Sequence, residues 1–175
     1  DVYKRQVPMR WKALRKFLRA FSSLPPEVRS RCKVVFFTRT AEIVMEYGGV
    51  LVDEGVIMIH DYVPLDDIIA AIKSVDVCLL LDYSKLEVAT KLLEYLACQK
   101  PVWALIPQNS SNARMIKRYK AGWVCDLEVD EDTIADSLVR VFNLWKKQCL
   151  PVPTIDPFRL SFASSKALVN RVLEG

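Results

Sequence analysis

The sequence predicts an α/β fold, a parallel sheet with helices on both faces. Two observations carry this. Four apolar runs of strand length recur along the chain: Lys33–Thr38, Val56–His60, Asp76–Asp82 and Pro101–Ile106. Such runs, rich in β-branched and aromatic residues, suit strands covered on both faces. Stretches with apolar residues at helical spacing stand between them, and that alternation implies parallel strands joined by helices.

Taken in order, Asp1–Gln6 reads as a non-native flank, leaving 7–175 as a single domain. Arg10–Phe21 reads as an amphipathic helix. Trp11, Leu14, Leu18 and Phe21 line one face with Phe17 beside them, and Lys12, Arg15, Lys16 and Arg19 cover the other. That basic face suits either a lipid-facing patch or a solvated surface above a packed helix. Ser22–Pro26 ends the helix, because proline cannot continue one.

The strand Lys33–Thr38 follows, then a helix Ala41–Tyr47 closed by Gly48 and Gly49 as a C-cap. After the strand Val56–His60 and the turn Asp61–Pro64, a helix spans Leu65–Ser74. Asp66 and Asp67 lie in its first turn, where acids complement the dipole; a metal-binding pair is the weaker reading. The strand Asp76–Asp82 leads through Tyr83–Ala89 into a helix Thr90–Cys98, with Thr90 as N-cap. Pro101–Ile106 is the next strand, Pro107–Asn112 a polar loop, and a helix runs on to about Tyr119. Gly122–Asp126 is a short strand, and Asp130 caps a long helix to Lys147. A proline-rich connection, Leu150–Pro157, precedes a last helix, Ser161–Leu173.

The 175 residues suit one domain with a sizeable core. Net charge is +4, unevenly placed: residues 1–40 hold eleven Lys/Arg against two acids, and residues 41–175 hold fourteen against nineteen. Nucleic-acid binding is disfavoured, because the aromatics of the basic segment lie on its apolar face and are not interleaved as stacking platforms. Five dispersed cysteines suit reduced thiols in the cytoplasm. His60 is the only histidine, which excludes a His-cluster metal site and leaves little room for a Ser–His–Asp triad. No Gly-x-Gly-x-x-Gly or Walker motif occurs, so a dinucleotide dehydrogenase or a P-loop ATPase is disfavoured.

In such a sheet ligands bind beyond the strand C-termini. That rule selects Thr38–Thr40, Asp61–Pro64, Tyr83–Ala89 and Pro107–Asn112. Lys91 and Glu94 then stand out. Lysine in a first turn opposes the dipole, and Lys before Glu is the weaker order. A helix facing a phosphate would tolerate this arrangement, since dipole and lysine attract the same anion. A surface ion pair is the alternative. Arg39 is a second candidate phosphate ligand, or a solvated loop residue.

The stretch Thr90-Lys91-Leu92-Leu93-Glu94-Tyr95-Leu96-Ala97-Cys98, completed by Lys100-Pro101-Val102, resembles the donor-binding signature of retaining GT-B-fold glycosyltransferases. Ala89 stands where that family often has proline, and Gln99 where it usually has glycine. The resemblance implies a Rossmann-like C-terminal half of a GT-B fold that binds a nucleotide-sugar donor. It implies the donor diphosphate at Thr90 and Lys91, ribose at Glu94 and the base near Tyr62 and Val63. Glu87 is the candidate sugar contact, although the family's first glutamate would align with Leu86. The resemblance implies glycosyl transfer in polysaccharide or glycoconjugate synthesis, without a bound metal or other cofactor. Neither the family's opening strand nor its acceptor-binding N-terminal domain is recognisable, so the chain is expected to be a fragment, inactive alone. A non-catalytic module of the same fold, or a membrane-surface domain using the basic helix at the inner face, are the alternatives.

Overall fold

The computed structural model describes residues 9–155. The expected flank lies outside them, as does the expected helix Ser161–Leu173. The order is α1 (Met9–Ser22), α2 (Pro26–Arg29), β1 (Val34–Phe37), α3 (Ala41–Asp53), β2 (Ile57–His60), α4 (Leu65–Ser74), β3 (Cys78–Leu81), α5 (Thr90–Ala97), β4 (Val102–Ile106), α6 (Ser111–Arg118), β5 (Gly122–Asp126) and α7 (Glu131–Lys146). The α/β class is as the pattern implied, with every strand pairing parallel. The strands form two separate ladders, β1–β2 and β3–β4–β5.

Alternate strand residues point to two helical layers. Trp103 and Leu105 of β4 join Leu14, Phe17, Leu18 and Phe21 of α1, Val44 and Leu51 of α3, and Ile134 and Val141 of α7 in one core. Val102, Ala104 and Ile106 join Ile72 of α4, Leu92 and Leu96 of α5, and Ala113 and Ile116 of α6 in the other. β4 is buried along its whole length because both layers cover it. Burial of each large apolar side chain stabilises by about 1.5–3 kcal/mol.

The basic side of α1 is engaged. Lys12 Nζ donates to both carboxylate oxygens of Glu128 at 2.7 and 2.8 Å. Lys16 Nζ donates to the carbonyls of Leu127 (2.7 Å) and Val129. Arg19 reaches Glu131 at 3.5 Å. These cations therefore hold the loop that starts α7, and this use does not favour the membrane-surface reading.

Three local readings are corrected. Helical geometry does break at Gly48 (φ −133°, ψ 16°), where the glycine pair was expected to close the helix, but a second helical run carries α3 on to Asp53. There α1 passes so close that a Cβ on Gly48 would lie 3.2 Å from Leu18 Cδ2. The first residue of α5 is Thr90, and its N-cap is Ala89. The short helix α2, begun by Pro26 at a position where its missing N–H costs nothing, was not foreseen.

Two backbone positions set the turns around β4. Gln99 ends α5 with φ 57°, the left-handed geometry that favours glycine. Its side chain compensates, Nε2 donating to the Ile155 carbonyl at 2.6 Å. Gly122 opens β5 with φ 146°. A Cβ there would lie 2.0 Å from the Val102 carbonyl oxygen, so only glycine lets β5 begin alongside β4. Gly122→Ala is expected to cost about 3 kcal/mol, the upper range for forced overpacking. A lowered urea midpoint with circular dichroism would register it.

Candidate functional site

The loops after β1, β2, β3 and β4 carry the candidate residues. Helix starts differ among them. Ser110 caps α6, its Oγ accepting from Ala113 N–H, and Asp130 caps α7, its Oδ1 accepting from Thr133 N–H at 2.7 Å. The starts of α3, α4 and α5, after Thr40, Pro64 and Ala89, have no side-chain cap. At these starts the cap carbonyls accept from Ile43, Asp67 and Leu92 N–H, but no cap side chain reaches the N–H groups at the very start of each helix.

The α5 start is held by side-chain hydrogen bonds from neighbouring elements. Asp82, at the end of β3, accepts through Oδ1 from the N–H groups of Tyr83 (2.7 Å) and Ser84 (3.1 Å). Its Oδ2 accepts from Asn112 Nδ2 at 3.0 Å, and Asn112 Oδ1 accepts from Ala89 N–H at 2.9 Å. Asn112 is fully buried. Ser111 adds two bonds, its N–H to the Lys85 carbonyl (2.9 Å) and its Oγ to the Leu86 carbonyl (2.8 Å). The loop before α5 is thus sewn to the start of α6. Asp82 and Asn112 were not singled out from the sequence as positioning residues. Only the cap-rich Pro107–Asn112 composition hinted at them.

Thr90 and Lys91 are exposed at the α5 start, and Glu87 is exposed just ahead of them. Glu87 N–H donates to Ser84 Oγ at 3.2 Å, which fixes its backbone. Glu94, one turn along α5, is half-buried. Burial pushes its carboxyl up from the usual range, and nearby Lys91 offsets part of that rise. Among the described residues the two do not close an ion pair, and no side chain hydrogen-bonds the Glu94 carboxylate. The surface ion pair considered as an alternative is therefore not formed. This leaves a partly desolvated acceptor and a free ammonium beside an uncapped helix start.

The β1 and β2 loops make a second group. The Arg39 guanidinium lies over the Tyr62 ring, 4.5 Å from its centroid. Both residues are exposed, so the contact is a modest one. Thr38 Oγ1 accepts from Thr40 N–H at 3.1 Å and meets Thr40 Oγ1 at 2.9 Å, fixing the turn that presents Arg39. Asp61 Oδ1 accepts from Tyr62 N–H at 2.7 Å. Val63 is half-buried beside it. Arg39 and Tyr62 are thus brought together, while Thr90, Lys91 and Glu94 share the α5 start.

The five cysteines are free, with Cys78 and Cys125 buried. Burial pushes the Cys78 thiol up to about 12, so it is an inert core group. Among the described residues no helix is long and apolar enough to cross a membrane.

No family model matches this sequence, and no curated protein matches it significantly. Among solved structures, the fold is similar to that of WaaG, a glycosyltransferase involved in lipopolysaccharide biosynthesis, with a TM-score of 0.65 at 15% sequence identity. The match covers 80% of this chain and 37% of the WaaG chain. At that identity the likeness is one of fold: a Rossmann-like α/β unit of the GT-B type.

Two outcomes follow from the site. Asn112→Ala leaves the Ala89 N–H and one Asp82 oxygen without their partner, at a cost of about 1–3 kcal/mol. Limited proteolysis should then cut within Tyr83–Val88 faster than in the parent. For Glu94, the folded state holds its proton more tightly than the unfolded state does. Stability therefore falls as pH rises from the unfolded pKa through the raised folded one. Glu94→Gln is expected to raise Tm at pH 7, with the gain disappearing as pH drops below 4, in paired thermal melts.

Proposed function

We propose that this chain is the nucleotide-sugar-binding part of a glycosyltransferase, the C-terminal half of a GT-B enzyme. The observation that carries this reading is Glu94, a half-buried carboxylate without a side-chain partner, one turn from an uncapped helix start that displays Lys91. The likeness of fold to a glycosyltransferase supports the same class.

The chemistry follows from charge. A diphosphate at the start of α5 would meet the first-turn N–H groups, the Thr90 hydroxyl and the Lys91 ammonium. An ionised Glu94 would accept from a ribose hydroxyl. Arg39 would supply a further cation, the Tyr62 ring and Val63 a surface for the base, and Glu87 a contact to the sugar. In glycosyl transfer the leaving diphosphate gains negative charge. A fixed dipole and fixed cations stabilise that charge more in the transition state than in the ground state. The acceptor would bind a second domain that the aligned 37% of WaaG does not represent, and this chain alone would transfer nothing. By the same analogy its setting is polysaccharide or glycoconjugate synthesis at the cytoplasmic side of a membrane.

Calorimetry with UDP, GDP, ADP and CMP tests the reading. One nucleoside diphosphate should bind in preference to the others. Lys91→Ala should weaken it by about tenfold, the scale of one charge-assisted hydrogen bond. Glu94→Ala should weaken it further and flatten the preference for ribose over deoxyribose. Binding should also decline on acidification at a higher pH than an ordinary glutamate would dictate, because Glu94 must be ionised to accept. Equal binding of all four nucleotides, unchanged in both variants, would exclude the assignment.

A further inference from the structure

Cations gather where α6 meets the loop before α5. Residues 107–122 carry Arg114, Lys117, Arg118 and Lys120 and no acid. All four are exposed. Ala113 and Ile116 give the inner face of α6 to the core, while Arg114, Lys117 and Arg118, three and four positions apart, share the outer face. Lys85, also exposed, is tied to the start of the same helix, because Ser111 N–H donates to its carbonyl at 2.9 Å.

Among the described residues none of these cations closes an ion pair. Lys85 lies within electrostatic reach of Glu128, whose carboxylate already takes two bonds from Lys12. Arg118 lies over the Tyr119 ring, 5.5 Å from its centroid. Arg114 donates to the Asn109 carbonyl at 2.9 Å and to Ser111 Oγ at 3.0 Å. These contacts orient the cations without neutralising them. Helix stability accounts for only part of the set. Lys117 and Arg118 complement the C-terminal dipole, but Arg114, near the start, opposes it, and Lys120 lies beyond the helix.

An apolar tip stands beside this stripe. Leu86 is 84% exposed and Val88 39%. The backbone there is fixed, since Ser111 Oγ donates to the Leu86 carbonyl at 2.8 Å and Glu87 N–H donates to Ser84 Oγ at 3.2 Å. Leu86 and Arg114 thus share the Ser111 hydroxyl, and tip and stripe form one continuous surface, with Glu87 as an acid within it.

We propose that the outer face of α6 and the Lys85–Val88 segment form a contact for an anionic lipid surface. Leu86 enters the interfacial layer, and Lys85, Arg114, Lys117, Arg118 and Lys120 lie over the headgroups. A soluble acidic partner is matched by charge alone. A bilayer offers anions above an apolar interior, and cations around a displayed leucine match both. The contact is a peripheral one, since among the described residues no helix is long and apolar enough to cross a membrane. It lies apart from α1, whose Lys12, Lys16 and Arg19 are committed to the loop into α7. Lys91 and Glu94 take no part in it, so it does not rest on the donor reading.

Co-sedimentation of the full chain with vesicles tests this, using phosphatidylcholine alone and phosphatidylcholine mixed with phosphatidylglycerol. The parent should bind the anionic vesicles only, and less so as salt is raised. Lys117→Gln with Arg118→Gln should weaken binding about twentyfold, since each cation near such a surface contributes about fivefold. Leu86→Ser should weaken it about tenfold, the scale of one apolar side chain leaving water. Arg19→Gln, on α1, should bind as the parent does. Leu86→Trp should gain blue-shifted emission on anionic vesicles that the parent lacks. No binding, equal binding to both vesicles, or a loss in Arg19→Gln with none in the α6 variant would overturn the proposal. Equally tight binding to soluble polyglutamate would also overturn it and assign the surface to an acidic protein.

Discussion

Helix α1 carries one apolar face that must serve two ladders. No backbone ladder bonds join β1–β2 to β3–β4–β5, so side-chain packing beneath both is what relates them. Phe17 stands at the centre, its ring 5.6 Å from Phe21 and 5.8 Å from Trp103. Trp103 in turn donates from Nε1 to Ser137 Oγ on α7 at 3.0 Å, so the same contact line reaches the far helix. The polar face of α1 closes the arrangement from the other side, where Lys12 and Lys16 hold the loop into α7. A helix read alone as a basic amphipath is here used on both faces.

The loops above the strands are positioned by a different chemistry. The start of α5 is located by one buried amide, Asn112, which bonds Ala89 N–H and Asp82 together. The rest of that helix end is left without side-chain satisfaction. Rigid support beneath and unpaired groups above form a sensible division for binding an anion. In the proposed reading, a frame held in this way would present its dipole and its lysine to a ligand already oriented. Gln99 at the other end of α5 shows how the frame tolerates a poor residue, since a bond to the Ile155 carbonyl offsets a left-handed backbone.

Much of this was legible in the sequence, and the rest was not for identifiable reasons. Leu65–Ser74 and Gly122–Asp126 match their predicted spans because local signals bound them: aspartates and a preceding proline in one, glycine and polar residues in the other. The break at Gly48 was legible, but the helical run beyond it was not, because Gly48 also makes room for Leu18, thirty positions away, and a glycine chosen for close approach looks like one chosen to end a helix. Asn112 was invisible as a hub because its partners lie 23 and 30 positions back. The pairing of Arg39 with Tyr62 was likewise beyond a linear reading, although both had been selected for lying at strand ends. The division of the sheet could not be read at all, since periodicity specifies strands and says nothing of which edges meet.

The bonds of α1 also set a timetable. Lys12 and Glu128 are separated by 116 positions. At about 5–20 residues per second of synthesis, α1 waits roughly 6–23 s before the partner of its basic face has been made. Over that interval Leu14, Phe17, Leu18 and Phe21 have only part of their eventual cover, and the helix is an early-made surface for chaperones. The ribosome thus makes α1 well before the loop that its basic face will hold.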